Sequence, residues 1–230
     1  MQTETINLNT QQGPTTAHVA LPTDADRETS VSASAAVILI HEWWGLNDHV
    51  RDIAGRYANE GFVCVAPDLY RGHVTKDQEE ASRMMHALAI EDGMGTIRSA
   101  VEETKRAYNL EKIGITGYCM GGTFALRAAC DISALGASAV FYGDIPGDDA
   151  LSRLSVPTLF IAGNRDNWIT PEKVNGLREA ARKFSLPVEV LSYDADHGFF
   201  NNTRPEVYNP EAARDSWRRV LTHFREYLQT

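Results

Sequence analysis

The stretch KIGITGYCMGGTFALRAAC, Lys112–Cys130, decides the fold. A short apolar run, Ile113–Thr116, ends at a glycine. Gly117-Tyr118-Cys119-Met120-Gly121-Gly122 then turns the chain, and the small-residue run Thr123–Cys130 has the pattern of a buried helix. Flanking glycines let a strained turn raise the middle side chain above the end of the strand. The first N–H groups of the helix point partial positive charge at that side chain, which favours a thiolate or an oxyanion there. A glycine-rich phosphate loop is the competing reading. It fits poorly, because no Lys-Ser or Lys-Thr follows and the glycines are not spaced G-x-G-x-x-G. Cys64, inside an apolar run, and Cys130, among small helical residues, read as core thiols.

Similar units recur outward from this stretch. Ala35–Ile40, Phe62–Ala66, Ala137–Tyr142 and Thr158–Ala162 are nearly continuous apolar runs, as expected of strands covered on both faces. Val188–Tyr193 alternates and suits a strand nearer an edge. Thr5–Leu8 and Ala17–Leu21, separated by Gly13-Pro14, suggest an antiparallel hairpin. Helical spacing fills the gaps: Val50, Ile53, Ala54, Tyr57 and Ala58 before Gly61; Ala81, Met84, Met85 and Leu88 after a capping box at Asp77 and Glu80; Ile97 to Tyr108; and Trp217 to Leu228. Thr170-Pro171 and Asn209-Pro210 each put a cap residue before a proline at the first helical position. Thr23–Ser34, rich in Thr, Ser and Asp, reads as a loop. The fold class is therefore α/β: a mostly parallel central sheet with helices on both faces, expected as one domain over 1–230. The segment from Gly143 to Val156 is too short for a cap domain.

Composition excludes several functions. The 230 residues carry 22 Lys+Arg against 31 Asp+Glu, a net charge of −9. Such a chain lacks the basic footprint of a nucleic-acid binder, and anionic membranes repel it. The longest aliphatic run, Ala35–Ile40, is far below the ~20 residues that span a bilayer. Met1–Thr5 has no basic flank and no apolar stretch behind it. Three cysteines without C-x-x-C spacing give neither a disulfide framework nor a zinc knuckle. A cytoplasmic location is expected, with no cofactor.

Ligands of such a sheet bind beyond the carboxyl ends of the strands. Gly163-Asn164-Arg165-Asp166-Asn167-Trp168 follows one strand, and Asp194-Ala195-Asp196-His197-Gly198-Phe199 follows the next. A nucleophile, an acid and a histidine in this order, each after its own strand, is the order of α/β-hydrolase triads. Cys119 is then the nucleophile, His197 shuttles protons, and Asp166 holds the imidazole tautomer. Asp196 is the rival acid, but its neighbour His197 leaves it pointing elsewhere on extended backbone. His41-Glu42-Trp43-Trp44-Gly45 follows the strand ending at Ile40. It nearly imitates H-E-x-x-H, but position 45 is glycine and the second ligand is missing, so no metal site is expected. The loop's place instead assigns the Trp43 N–H, with that of Met120, to an oxyanion hole, and puts Glu42 beside the site.

Together, His41–Asn47, Pro67-Asp68-Leu69-Tyr70, Gly117–Gly122, Asp166 and His197-Gly198-Phe199 resemble the dienelactone hydrolase family, the carboxymethylenebutenolidases, from about residue 30 onward. The resemblance implies an α/β-hydrolase fold, a Cys119–His197–Asp166 triad, and Glu42 as acceptor of the thiol proton. It also implies an enol-lactone substrate bearing a carboxylate. Two family arginines that hold that carboxylate are replaced, by Gly72 (with Arg71 one residue early) and by Asn201, with Arg204 nearby. Arg71 and Asn201 are accordingly the candidate carboxylate contacts. Tyr70, Tyr118, Tyr142, Trp168 and Phe199, with Trp43, are the candidate aromatic lining.

The nucleophile narrows the substrate independently. A tetrahedral intermediate on cysteine expels the better leaving group, and a thiol of pKa ~8.5 leaves far faster than a simple alkoxide. Enol esters, enol-lactones and aryl esters therefore go forward, whereas alkyl esters revert. The expected activity is hydrolysis of small activated esters or lactones by a monomer or weak homodimer. The alternatives are a carboxylesterase or thioesterase outside aromatic degradation, and a non-catalytic ligand-binding protein on the same fold.

Overall fold

A computed structural model describes residues 2–22 and 34–229. The Thr- and Ser-rich loop expected at Thr23–Ser34 lies, from 23 to 33, outside the described residues. One eight-stranded sheet organises the rest, in the order β1-β2-β4-β3-β5-β6-β7-β8. The hairpin β1 (Gln2–Thr10) and β2 (Gly13–Leu21) is antiparallel and pairs antiparallel with β4 (Val63–Pro67). From β4 onward every pairing is parallel, through β3 (Ala36–Ile40), β5 (Ile113–Tyr118), β6 (Ala137–Phe141), β7 (Thr158–Gly163) and β8 (Val188–Tyr193). This is the α/β-hydrolase arrangement that the pattern predicts. The continuous apolar runs are the central strands, buried along their whole length, and the alternating run is the edge strand β8.

The helices start where cap chemistry places them. Asn47 accepts from the Val50 N–H ahead of α1 (Asp48–Asn59), and Thr170 from the Lys173 N–H ahead of α6 (Pro171–Phe184). Asn209 takes the N–H groups of Glu211 and Ala212 at α7 (Pro210–Leu228). The capping box at α2 (Gln78–Ala87) is half formed. Asp77 accepts from the Glu80 N–H at 2.8 Å, but the Glu80 carboxylate turns to the Thr75 hydroxyl, and Thr75 serves the Asp77 N–H instead. Helix α3 (Ile90–Tyr108) follows α2 almost at once. Helix α4 begins at Met120 and runs to Asp131, three residues earlier than the apolar pattern suggests, so its N-terminus abuts Cys119. Between β6 and β7 the chain makes a single helical turn, α5 (Asp148–Leu151), and no cap domain. Helix α7 buries Val220, Leu221, Phe224 and Leu228, each contributing roughly 1.5–3 kcal/mol.

Candidate active site

Cys119 sits between β5 and α4 with φ 57° and ψ −119°, a conformation that non-glycine residues rarely adopt. Close packing enforces it. A Cβ on Gly117 would collide with the Gly121 carbonyl, and one on Gly121 would collide with the carbonyls of Ile40 and His41. The turn is therefore clamped between its own helix and the end of β3. Strain of about 1–3 kcal/mol persists at such a residue only when its surroundings over-determine it. The Cys119 N–H is tied to the Phe141 carbonyl at 3.1 Å. Among the described residues, the N–H groups of Met120 and Trp43 donate no hydrogen bond within the chain.

Two further strand ends converge on this thiol. The Asp166 carboxylate is buried behind β7. Its Oδ1 accepts from the N–H groups of Trp168 at 2.7 Å and Ile169 at 2.9 Å, and its Oδ2 faces His197 Nδ1 at 2.7 Å. Burial pushes this carboxyl upward, but the His197 hydrogen bond and the two N–H groups outweigh it and hold the pKa below the ordinary value. Burial likewise pulls the His197 imidazole down, yet hydrogen bonds and charge from Asp166 and Cys119 raise it to about 10. His197 Nε2 is buried and has no partner among neighbouring oxygens and nitrogens. Asp196, the rival acid, instead pairs with Arg165 at 3.2 Å and is half-exposed. The ends of β7 and β8 thus bring His197 and Asp166 together. The other thiols are buried and pushed upward by desolvation, Cys130 to about 11.

Glu42 lies under this group, 6% exposed. Desolvation raises its pKa, opposed by the Asn201 amide and the charges of His197 and Arg204. Asn201, expected to meet a substrate carboxylate, is 2% exposed and serves Glu42. Its Nδ2 donates to Glu42 Oε2 at 2.6 Å, while its Oδ1 accepts from the Thr203 N–H and hydroxyl. Buried among these partners, the amide is turned to Glu42 rather than to a ligand. His41 is structural: Nδ1 donates to the Glu42 carbonyl, and Nε2 accepts from the Leu69 N–H.

The remaining expected contacts divide. Trp168 and Tyr142 border the thiol, and Trp43 stands edge-on to Trp168 at 5.4 Å. Tyr70 approaches from beneath, its hydroxyl donating to Met120 Sδ at 3.1 Å. Tyr118 and Phe199 do not line the site. Tyr118 stacks on Phe141 at 4.4 Å, and Phe199 is fully buried against Tyr142 and Tyr193, because both rings are more stable inside the apolar core. Arg71 is also displaced. Its backbone is left-handed (φ 54°), and its guanidinium donates to the Gly13 and Pro14 carbonyls and the Thr10 hydroxyl on the hairpin.

Two cavities open on either side of Cys119 and His197. One, of about 430 Å³, combines the charged side chains of Arg165, Arg204 and Glu206 with Trp43, Trp44 and Trp168. The other, of about 270 Å³, is walled by Met85, Leu88, Ile90 and Phe124. Sequence reasoning named Trp43, Trp168 and Tyr142 but missed the Met85, Leu88, Ile90 and Phe124 wall, and of the charged residues it singled out only Arg204, as the arginine nearest the expected position. Among the described residues no group of three or more His, Cys, Asp or Glu could hold a metal, and no helix is long and apolar enough to cross a membrane.

A sheet of this order with an elbow at its centre is an α/β-hydrolase. Residues 19–228 match the dienelactone hydrolase family, and the chain belongs to that family. This places it among carboxymethylenebutenolidase-like hydrolases, carboxylic ester hydrolases by class. It is 34% identical over 205 residues to Protein usf of Aquifex pyrophilus, covering 84% of this chain and 88% of the relative. It is 31% identical over 210 residues to a protein of Aquifex aeolicus named "Putative carboxymethylenebutenolidase", covering 86% and 90%. The crystal structure of "Putative Dienelactone Hydrolase" from Klebsiella pneumoniae superposes with a TM-score of 0.87 at 25% identity, covering 99% of this chain and 100% of that one.

Proposed function

We propose that the protein hydrolyses small activated esters and enol-lactones through a thioester on Cys119, with His197 and Asp166 completing a triad. The observation that supports this most directly is the Asp166–His197 hydrogen bond, which leaves an unpartnered Nε2 beside a strained thiol. Glu42 accepts the thiol proton and passes it to His197, so the reacting pair is thiolate and imidazolium. The thiolate attacks the ester carbonyl and a C–S bond forms. The N–H groups of Trp43 and Met120 hold the oxyanion. The C–O bond then breaks, and the departing oxygen takes its proton from His197. The neutral imidazole next takes a proton from water, the hydroxide adds to the thioester, and the C–S bond breaks. Thiolate and imidazolium are restored, with one water consumed per ester, and as product leaves the proton returns through Glu42 to the thiol.

The reading that this is an activated-ester carboxylesterase outside aromatic degradation gains from the placement of Arg71 and Asn201, neither of which is free for a substrate carboxylate. The test of the nucleophile is stoichiometric iodoacetamide. Cys119 should be alkylated ahead of Cys64 and Cys130, with loss of aryl acetate turnover. Equal labelling of all three thiols with activity retained overturns the assignment.

A further inference from the structure

We infer that the enzyme selects its substrate by a neutral, aryl-sized arm seated in the apolar cavity beside Cys119, rather than by an anionic group. The inference rests on the thioester reading above. An ester carbonyl at Sγ, with its oxygen held by two N–H groups, has two substituents that depart in different directions. Cys119 and His197 border both cavities, so each cavity stands where one substituent must go.

The apolar cavity is walled by Met85 and Leu88 at the end of α2, Ile90 at the start of α3, Met120 and Phe124 on α4, and Ile169. At about 270 Å³ it is larger than a ~150 Å³ apolar cavity, which takes benzene. It therefore accommodates a phenyl ring with a short substituent. Its bordering charges, Lys173 and Asp144, are paired with each other at 2.7 Å.

The other cavity holds more carboxylates than cations, Glu42, Asp196 and Glu206 against Arg165 and Arg204. Arg165 is bound by Asp194 and Asp196, and Arg204 by Glu206 at 2.8 Å. Glu42 adds a further carboxylate beside the thiol. An anionic arm would meet this local excess of carboxylates and a chain of net charge −9. A neutral ring in the apolar cavity meets neither obstacle.

The test compares three esters with activated leaving groups. Vinyl acetate is small on both sides, vinyl benzoate carries a ring on the acyl side, and phenyl acetate carries one on the alcohol side. Leu88→Trp and, as a second variant at a half-exposed position, Ile90→Trp would fill the cavity. The expected result is a fall in kcat/KM for at least one ring-bearing ester that exceeds any fall for vinyl acetate by about 10-fold or more, the scale on which apolar pockets discriminate. Vinyl acetate turnover also certifies that each variant is folded. If both ring-bearing esters keep their wild-type kcat/KM in both variants, or fall only in step with vinyl acetate, the inference is wrong. A wild-type enzyme that turns over none of the three overturns the thioester reading itself.

Discussion

Replacing Asn201 by alanine removes the hydrogen bond that favours the ionised form of Glu42. The Nδ2–Oε2 distance is 2.6 Å, and both residues are buried, so solvent cannot substitute for the lost donor. A hydrogen bond to a charged group contributes roughly 1.5–3 kcal/mol. Its loss should push the Glu42 pKa further up. That adds to the upward push from burial already present. The ionised carboxylate is the form that accepts the thiol proton. Activity should therefore fall as pH drops through the Glu42 pKa, and the acid limb of kcat/KM should move to higher pH. Above that limb the variant and wild-type rates should converge. The assay is the pH profile of phenyl acetate hydrolysis, with Tm recorded at each pH because Thr203 also loses its acceptor. A rate lowered equally at every pH, with the limb unmoved, would refute the argument and leave Asn201 a packing residue.

Two further outcomes are expected. Cys119→Ala should lower the His197 pKa from about 10, because Cys119 contributes part of the upward shift and only Asp166 would remain; a ring-proton NMR titration reads this, and an unchanged midpoint refutes the pairing. The sign for stability follows, since a folded pKa above the unfolded ~6.5 gives stabilisation complete below that value and lost as pH rises toward 10, so the alanine variant should show a weaker alkaline decline in Tm. Arg71→Ala should leave KM unchanged for charged and neutral esters alike, because its guanidinium bonds the hairpin; a rise in KM for a charged ester alone would return Arg71 to the site.

The architecture was legible because two-sided burial writes itself into the chain. Continuous apolar runs such as Thr158–Ala162 can only be central strands when helical spacing separates them, and a reactive residue between glycines marks the elbow. Cys119, Asp166 and His197 could be read for the same reason: each follows its own strand. Side-chain direction was not legible. Tyr118 precedes the elbow and Phe199 follows the histidine by two, yet both turn into the core, because an aromatic ring near a site is also near the sheet. Arg71 has the right neighbourhood in sequence, but its left-handed backbone accompanies a guanidinium held on the hairpin. The Asn201–Glu42 bond joins positions 159 residues apart, a relation that no local pattern carries. The apolar cavity combines four separate elements and likewise leaves no contiguous trace.

Helix α2 has a consequence for how this enzyme can change over generations. Ala81 is its buried residue, while Met85 and Leu88, which face the apolar cavity, are only partly covered. Substitutions at such positions disturb little packing, and exposed or half-exposed sites usually shift stability by no more than about 0.5 kcal/mol. The elbow offers no such latitude, since even a methyl group on Gly117 or Gly121 meets a carbonyl. Mutational tolerance is therefore divided within one site. The residues that shape the arm of the ester can drift nearly free of any folding penalty, while the residues that break it are locked to the sheet. A lineage carrying this scaffold can explore new esters through α2 and the first turn of α3 without putting its chemistry at risk.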